Sequence, residues 1–302
     1  MNNGIAMQVN NRTTKSRLGL GAVLMSGIAL ISANASAAIV STSWVGSADY
    51  SSIIGTAGEL VGPFDSYDFS NGGVVLIEPA AVTGAGYQVG DTYNGYYQSY
   101  VTQHTLSGAP TANPKLNSSY ELTFVAQFTQ QVTSVDNFGN ATFSVTGGSA
   151  GLFLDSSIAT QHNFITDSGF NDGPSILFGT VSGGSGAFLS SAGFGVTGID
   201  LTIGAFGYNT AVYDPATIDG ANGIFTLNIN PSGISSGVNS VQGNTVDSTD
   251  LLLEADGNMN LQAVPLPPAL WLFGTALLGL MGLCKRVTNN SSSIVDQSFM
   301  TS

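Results

Sequence analysis

From Tyr120 to Phe128 the chain alternates strictly: Tyr120, Leu122, Phe124, Ala126 and Phe128 interleave with Glu121, Thr123, Val125 and Gln127. A period of two sends successive side chains to opposite faces of an extended backbone, so this stretch predicts a strand with one buried face. Shorter signals of the same kind recur at Val74 to Ile77, Thr142 to Val145, Leu152 to Leu154, Ile176 to Val181, Ile199 to Phe206, Ile224 to Ile229 and Leu251 to Glu254. Turn formers separate them, among them Asn71-Gly72-Gly73, Asp172-Gly173-Pro174, Gly183-Gly184-Ser185-Gly186 and Asp219-Gly220. No convincing amphipathic helix and no fixed-period repeat occurs between residues 38 and 262. Many short strands without crossover helices predict an all-β fold, an antiparallel sandwich or barrel, and disfavour a parallel α/β architecture. Phe188 and Phe194 lead us to read the glycine-rich stretch from Gly183 to Gly195 as ordered strand with small-residue faces.

Two terminal stretches break this pattern. Arg12, Lys15 and Arg17 precede the apolar run from Leu18 to Ile31, and Ala35-Ser36-Ala37 follows it. Small residues at Ala35 and Ala37 suit the narrow pocket of signal peptidase, so residues 1–37 are expected to be a signal peptide cleaved after Ala37. Near the other end, Val264-Pro265-Leu266-Pro267-Pro268 leads into the apolar run Ala269 to Cys284 and then Lys285-Arg286. The prolines hold the backbone extended. The run behind them would make a helix about 24 Å long, enough for one slightly short membrane span. Trp271 suits the interface, and Lys285 and Arg286 orient the span by staying cytoplasmic. The expected organisation is therefore a signal peptide (1–37), a secreted Gly/Ser/Thr/Asn-rich β domain (38–262), a C-terminal sorting signal with one transmembrane helix (263–286) and a polar cytoplasmic tail (287–302).

That composite of Val264, Pro265, Leu266 and Pro267, an apolar run and a basic pair resembles the PEP-CTERM sorting domains of Gram-negative bacteria, in their Val-Pro-Leu-Pro variant. The resemblance implies recognition of the motif by an exosortase, a membrane-embedded cysteine transpeptidase-like enzyme. It also implies transient anchoring and then delivery to the outer surface or the extracellular polysaccharide matrix. Family members usually end soon after the basic pair, whereas this chain continues from Val287 to Ser302. In the β domain, the blocks Tyr120 to Phe128, Leu152 to Asp155, Ile176 to Gly179, Asp200 to Ile203 and Asp250 to Asp256 resemble, in their order, flocculation-associated PEP-CTERM proteins. That implies a role in cell aggregation, floc or biofilm formation.

Composition narrows the partners. Although 43% of residues are hydrophobic, only 8% are charged, and 19 acids against 6 bases give a net charge of -13. Lys115 is the only base between residues 38 and 284. Such a surface repels phosphate backbones, which excludes nucleic acid and leaves multivalent cations, neutral polysaccharide or neighbouring cell surfaces as partners. Cys284 is the only cysteine, so there is no internal disulfide and no cysteine-based metal cluster.

The search for chemistry predicts no enzyme. Gly147-Gly148-Ser149-Ala150-Gly151 fits the nucleophile-elbow pattern, but the segment after it reads as strand where the elbow needs a helix. His104 and His162 read as polar loop residues. Asp65 with Asp68, or Asp247, Asp250, Glu254 and Asp256, could offer oxygen ligands to calcium, but neither set follows the calcium-loop spacing, and no metal or other cofactor is expected. Tyr93, Tyr96, Tyr97 and Tyr100 crowd around Asn94-Gly95 and are the candidate carbohydrate contacts. Strand spacing would put Tyr93 and Tyr97 on one face and Tyr96 and Tyr100 on the other, and core packing or a tyrosine-rich hairpin is the simpler reading. The leading expectation is a structural surface or matrix protein; the alternatives are a carbohydrate-binding module and, behind it, an extracellular hydrolase.

Overall fold

The computed structural model describes residues 42–156, 161–190, 193–228 and 237–264. The expected signal peptide with Ala35 and Ala37, the expected sorting motif from Pro265 onward, the apolar run, Lys285, Arg286 and the tail lie outside the described residues. Among the described residues, no helix is long and apolar enough to cross a membrane.

The described residues form sixteen strands: β1 (Thr42–Ser43), β2 (Gly46–Asp49), β3 (Leu60–Phe64), β4 (Ser66–Phe69), β5 (Gly73–Ala81), β6 (Thr92–Leu106), β7 (Ala109–Thr111), β8 (Glu121–Val135), β9 (Ala141–Asp155), β10 (Ser175–Leu189), β11 (Phe194–Thr202), β12 (Tyr213–Asp214), β13 (Ile218–Asn228), β14 (Ser240–Val241), β15 (Asn244–Thr245) and β16 (Leu251–Ala263). One helical turn, Ser51–Ile54, interrupts the first hairpin. Eight strands pair in the closed antiparallel order β5-β6-β8-β9-β10-β11-β13-β16, and β16 returns to β5. The fold is therefore an all-β barrel, the second of the two architectures expected. Strand β4 extends the place of β5, because it too lies between β16 and β6.

Inward positions follow the period of two that the sequence displayed. Leu122, Phe124, Ala126 and Phe128 of β8 are all buried, and the Phe124 ring meets rings of other strands. Phe69 stacks on Phe124 with centroids 4.8 Å apart, and Tyr97 of β6 meets Phe225 of β13 at 4.1 Å. Strands β6 and β13 are not neighbours in the ladder, so this last contact spans the interior. Such packing needs holes as well as knobs. A Cβ on Gly95 would stand 2.6 Å from Phe128 Cε2, and one on Gly257 would stand 2.7 Å from both Phe225 Cδ1 and the Tyr97 hydroxyl. Glycine in these strands makes room for rings from neighbouring or facing strands.

This corrects several expected boundaries. Thr142 to Val145 and Leu152 to Leu154 belong to one strand, β9, whose ladder with β8 slips near Gly147-Gly148. The tyrosine-rich stretch is not a hairpin at Asn94-Gly95 but the continuous strand β6. The stretch Ile199 to Phe206 leaves the sheet after Thr202 and turns at Gly204, whose φ of 64° favours glycine.

The two ends of the barrel differ. At one end, the base, the small sheet β12-β2-β3 forms a plug whose core is aromatic. Phe64 lies 5.4 Å from Trp44, 5.2 Å from Tyr67 and 4.9 Å from His104, and Trp44 donates its indole N–H to Pro215 O at 2.9 Å. At the other end, the mouth, the strands finish in hairpins and in the loop between β5 and β6. The outer face of β5 is also covered: Val74 and Leu76 pack under Val238 and Val241 from the stretch that carries β14 and β15.

Candidate functional site

The mouth holds a cavity of about 690 Å³ whose wall includes Ile77, Pro79, Tyr87, Tyr93, Phe188 and Leu251. Its shape depends on the loop from Val82 to Asp91, which carries no hydrophobic pattern of its own. Asp91 organises it from a buried position: one carboxylate oxygen accepts from Thr83 N and Oγ1 at 2.9 Å, and the other accepts from Gln88 N at 3.2 Å. That bracing brings Tyr87 back over the barrel end. Its ring lies 5.4 Å from Tyr93, 5.3 Å from Phe143 and 5.7 Å from Phe188. Burial, with the nearby Tyr93, pushes the Tyr87 hydroxyl up to about 12, so it stays a neutral phenol. None of this was visible in the sequence, since the partners of Asp91 and Tyr87 come from separate turns and strands.

Glu78 lies on the outer face of β5 with Val74 and Leu76, close to Tyr96, Asp250 and Asp247. Glu78 is raised from its ordinary value by burial first and then by the charge of Asp250, with a smaller push from Asp247. Asp247 is held below its ordinary value by hydrogen bonds from Thr249. No base answers them. Lys115 is engaged at the far end, donating from Nζ to Thr56 O and Gly58 O at 2.8 Å each, while its backbone N–H donates to Glu59.

The four candidate tyrosines occupy three environments. Tyr97 is fully buried in the barrel interior, and Tyr93 is buried at the floor of the mouth. Tyr96 points outward into the cover over β5, and Tyr100 stacks on His162 with centroids 4.0 Å apart. The structure does not bring the four together on one exposed surface. The alternation along β6 separates them as the spacing implied, and packing against the interior or the outer cover takes up their faces.

The histidines require a correction. His104 is not a loop residue but a fully buried member of β6 inside the base plug. Asn113 Nδ2 donates to its Nδ1 at 3.0 Å, so the neutral ring carries its proton on Nε2 and donates to Tyr50 Oη at 2.6 Å. Beyond Tyr50, the hydroxyls of Tyr67 and Tyr213 meet at 2.8 Å. Burial lowers His104 to about 3 and pushes the Tyr50, Tyr67 and Tyr213 hydroxyls well up. His162 does lie in a loop, where Glu121 accepts from its backbone N–H at 2.9 Å and contacts its Nδ1 at 2.8 Å.

The remaining candidates are local structure. Ser149 sits within β9, with no helix after it, and its hydroxyl accepts from Gln127 Nε2 at 3.1 Å. Asp65 accepts from the Ser66 hydroxyl at 2.6 Å and from Ser107 N at 2.9 Å. Asp68 lies near Asp256, and burial, then that charge, raises its carboxyl. Among the described residues, no three His, Cys, Asp or Glu side chains are grouped to hold a metal ion.

At the base the two ends of the described chain meet. Thr42 pairs with Ala263 and Ser43 with Gln262, and Val264 N donates to Thr217 O at 2.9 Å. The Val264-Pro265-Leu266-Pro267 segment thus begins where the last ladder bond ends. Compared with family models, curated proteins and solved structures, the chain matches none.

Proposed function

We propose that this chain is an exported, non-enzymatic barrel protein of the outer surface or extracellular polysaccharide, delivered by an exosortase-type enzyme acting at Val264-Pro265-Leu266-Pro267. There it contributes to cell aggregation, floc or biofilm formation. The observation that carries the reading is the pairing of Thr42 with Ala263 at the plugged base. The signal-peptidase site after Ala37 precedes one partner by a few residues, and the sorting motif directly follows the other. Both are substrates for enzymes of the membrane, and Thr42 and Val264, the described residues that lead to them, lie at the same pole. Fully extended, Val264 to Pro268 reaches at most about 17 Å, so a span starting at Ala269 would hold the base close to the bilayer and leave the mouth facing outward. The base-poor surface favours neutral or cationic partners in the matrix over nucleic acid.

The test compares whole-cell labelling of the full chain with a chain lacking residues 264–286. Loss of surface signal, with protein released or retained elsewhere and weaker cell aggregation, is the expected result. Unchanged display after the deletion would refute sorting by this segment.

A further inference from the structure

Inner-face positions of three neighbouring strands make one wall of the mouth cavity. Leu251 of β16 pairs with Ile77 of β5, and Pro79 of β5 pairs with Tyr93 of β6. Phe188 faces them from β10, on the opposite side of the strand ring, and Tyr87 narrows the gap with its ring 5.4 Å from Tyr93 and 5.7 Å from Phe188. The cavity is thus the unfilled end of the barrel interior. We infer that it binds an uncharged, mainly apolar small molecule, an alkyl or aryl body carrying at most a hydroxyl, ether or carbonyl group.

Three observations carry this independently of how the protein is exported. First, the cavity is preformed and of ligand size. Its volume of about 690 Å³ falls in the range that buries a small molecule, and the loop that shapes it is already braced by Asp91. Second, no residue of the lining is charged. Asp91 has its carboxylate occupied by Thr83 and Gln88, so an ammonium or carboxylate that entered would lose its water without gaining a counter-charge. Third, the wall keeps apolar surface wet. Leu251 is 37% exposed and Val82 46%, although both line a concave site, and an apolar ligand gains affinity by removing that surface from water. Side-chain polar groups in the lining are few. Thr249 already donates its hydroxyl to Asp247, which leaves the neutral phenols of Tyr87 and Tyr93 to meet a hydroxyl, ether or carbonyl oxygen.

The experiment is photoaffinity labelling of the full chain in phospholipid vesicles with decanol carrying a diazirine on its alkyl chain, followed by mass spectrometry of the labelled peptides. The amine and the carboxylic acid of the same chain length, each with the same diazirine, are the charged comparisons. The alcohol should label the stretch from Val82 to Tyr93, Phe188 or Leu251 saturably, and excess plain decanol should remove that label. The two charged probes should label the same positions on the order of tenfold less, because neither finds a counter-charge in the lining. Leu251→Glu puts a charge in the wall, and Gly84→Trp puts a bulk where a Cβ would meet nothing closer than Gln88 Cγ at 3.7 Å. Each should cut labelling of the mouth by about tenfold. Phe206→Ser, at a fully exposed ring on the base side, should change nothing. Circular dichroism of each variant separates loss of the site from loss of the fold. The inference is overturned by absence of saturable labelling at the mouth, by equal labelling with the amine or the acid, or by mouth labelling that survives both variants in folded protein. The readout is the labelled position within the barrel and not surface display, so it stands apart from the sorting test.

Discussion

His104 makes stability depend on pH in a window where little else titrates. Its ring is buried in the plug, Nδ1 is already occupied by the Asn113 donor, and burial lowers its protonation to about pH 3 from an ordinary value of 6.5. The unfolded chain therefore takes up a proton near pH 6.5 while the folded chain does not, and stability falls as pH drops from 6.5 toward 3. The slope is about 1.4 kcal/mol per pH unit, which amounts to about 2 kcal/mol between pH 7.5 and pH 5. Most carboxylates titrate below that window, and a His162→Gln background leaves His104 as the one histidine in the chain. Urea unfolding at several pH values would measure the effect, followed by tryptophan fluorescence because Trp44 belongs to the same plug. His104→Gln can still accept from Asn113 and donate to Tyr50 but cannot titrate. It should lower stability at pH 7.5 modestly and flatten the profile above pH 5. A wild-type profile that is flat from pH 7.5 to 5, or a slope that persists in His104→Gln, would refute the reasoning.

Other consequences follow from packing. Gly95→Ala puts a methyl 2.6 Å from a ring carbon of Phe128, which has little room to retreat. It should cost about 1–3 kcal/mol in urea unfolding, and a loss under about 0.5 kcal/mol would mean that the interior is looser than described. Asp167 accepts from Gln242 N at 2.9 Å and Gly243 N at 2.7 Å, fastening the β14–β15 hairpin outside β5. Asp167→Ala should speed hydrogen exchange from Val241 to Asn244, corresponding to about 1–2 kcal/mol, while exchange within β8 and β9 stays unchanged.

The class of fold was legible because alternation is a local property, and β8 carries it without interruption. The continuity of strands β6 and β9 was hidden for a common reason. Their glycines look like punctuation in one dimension, yet Gly95 is a hole for Phe128 and Gly147-Gly148 marks a ladder slip, and both facts belong to the neighbouring strand. Closure was equally out of reach, since the pairing of β5 with β16 joins residues such as Ile77 and Leu251 that lie far apart in sequence. His104 carried no signal of burial: its neighbours Gln103 and Thr105 are polar, and only the far-off Asn113 and Tyr50 satisfy its nitrogens. The mouth was hidden too, because Tyr87 and Phe188 meet only after two loops and the whole barrel are in place.

A ring of eight paired strands has consequences for how such a molecule can assemble. An open sheet can recruit another chain by offering an unpaired strand, and uncontrolled growth into fibres begins that way. Here both flanks of β16 are taken along most of its length, by β13 on one side and by β5 and β4 on the other. Copies of the barrel therefore cannot polymerise by extending its ladder. Contacts between copies have to come from side chains on loops and outer faces, and such contacts form and release one at a time without unfolding the barrels they join.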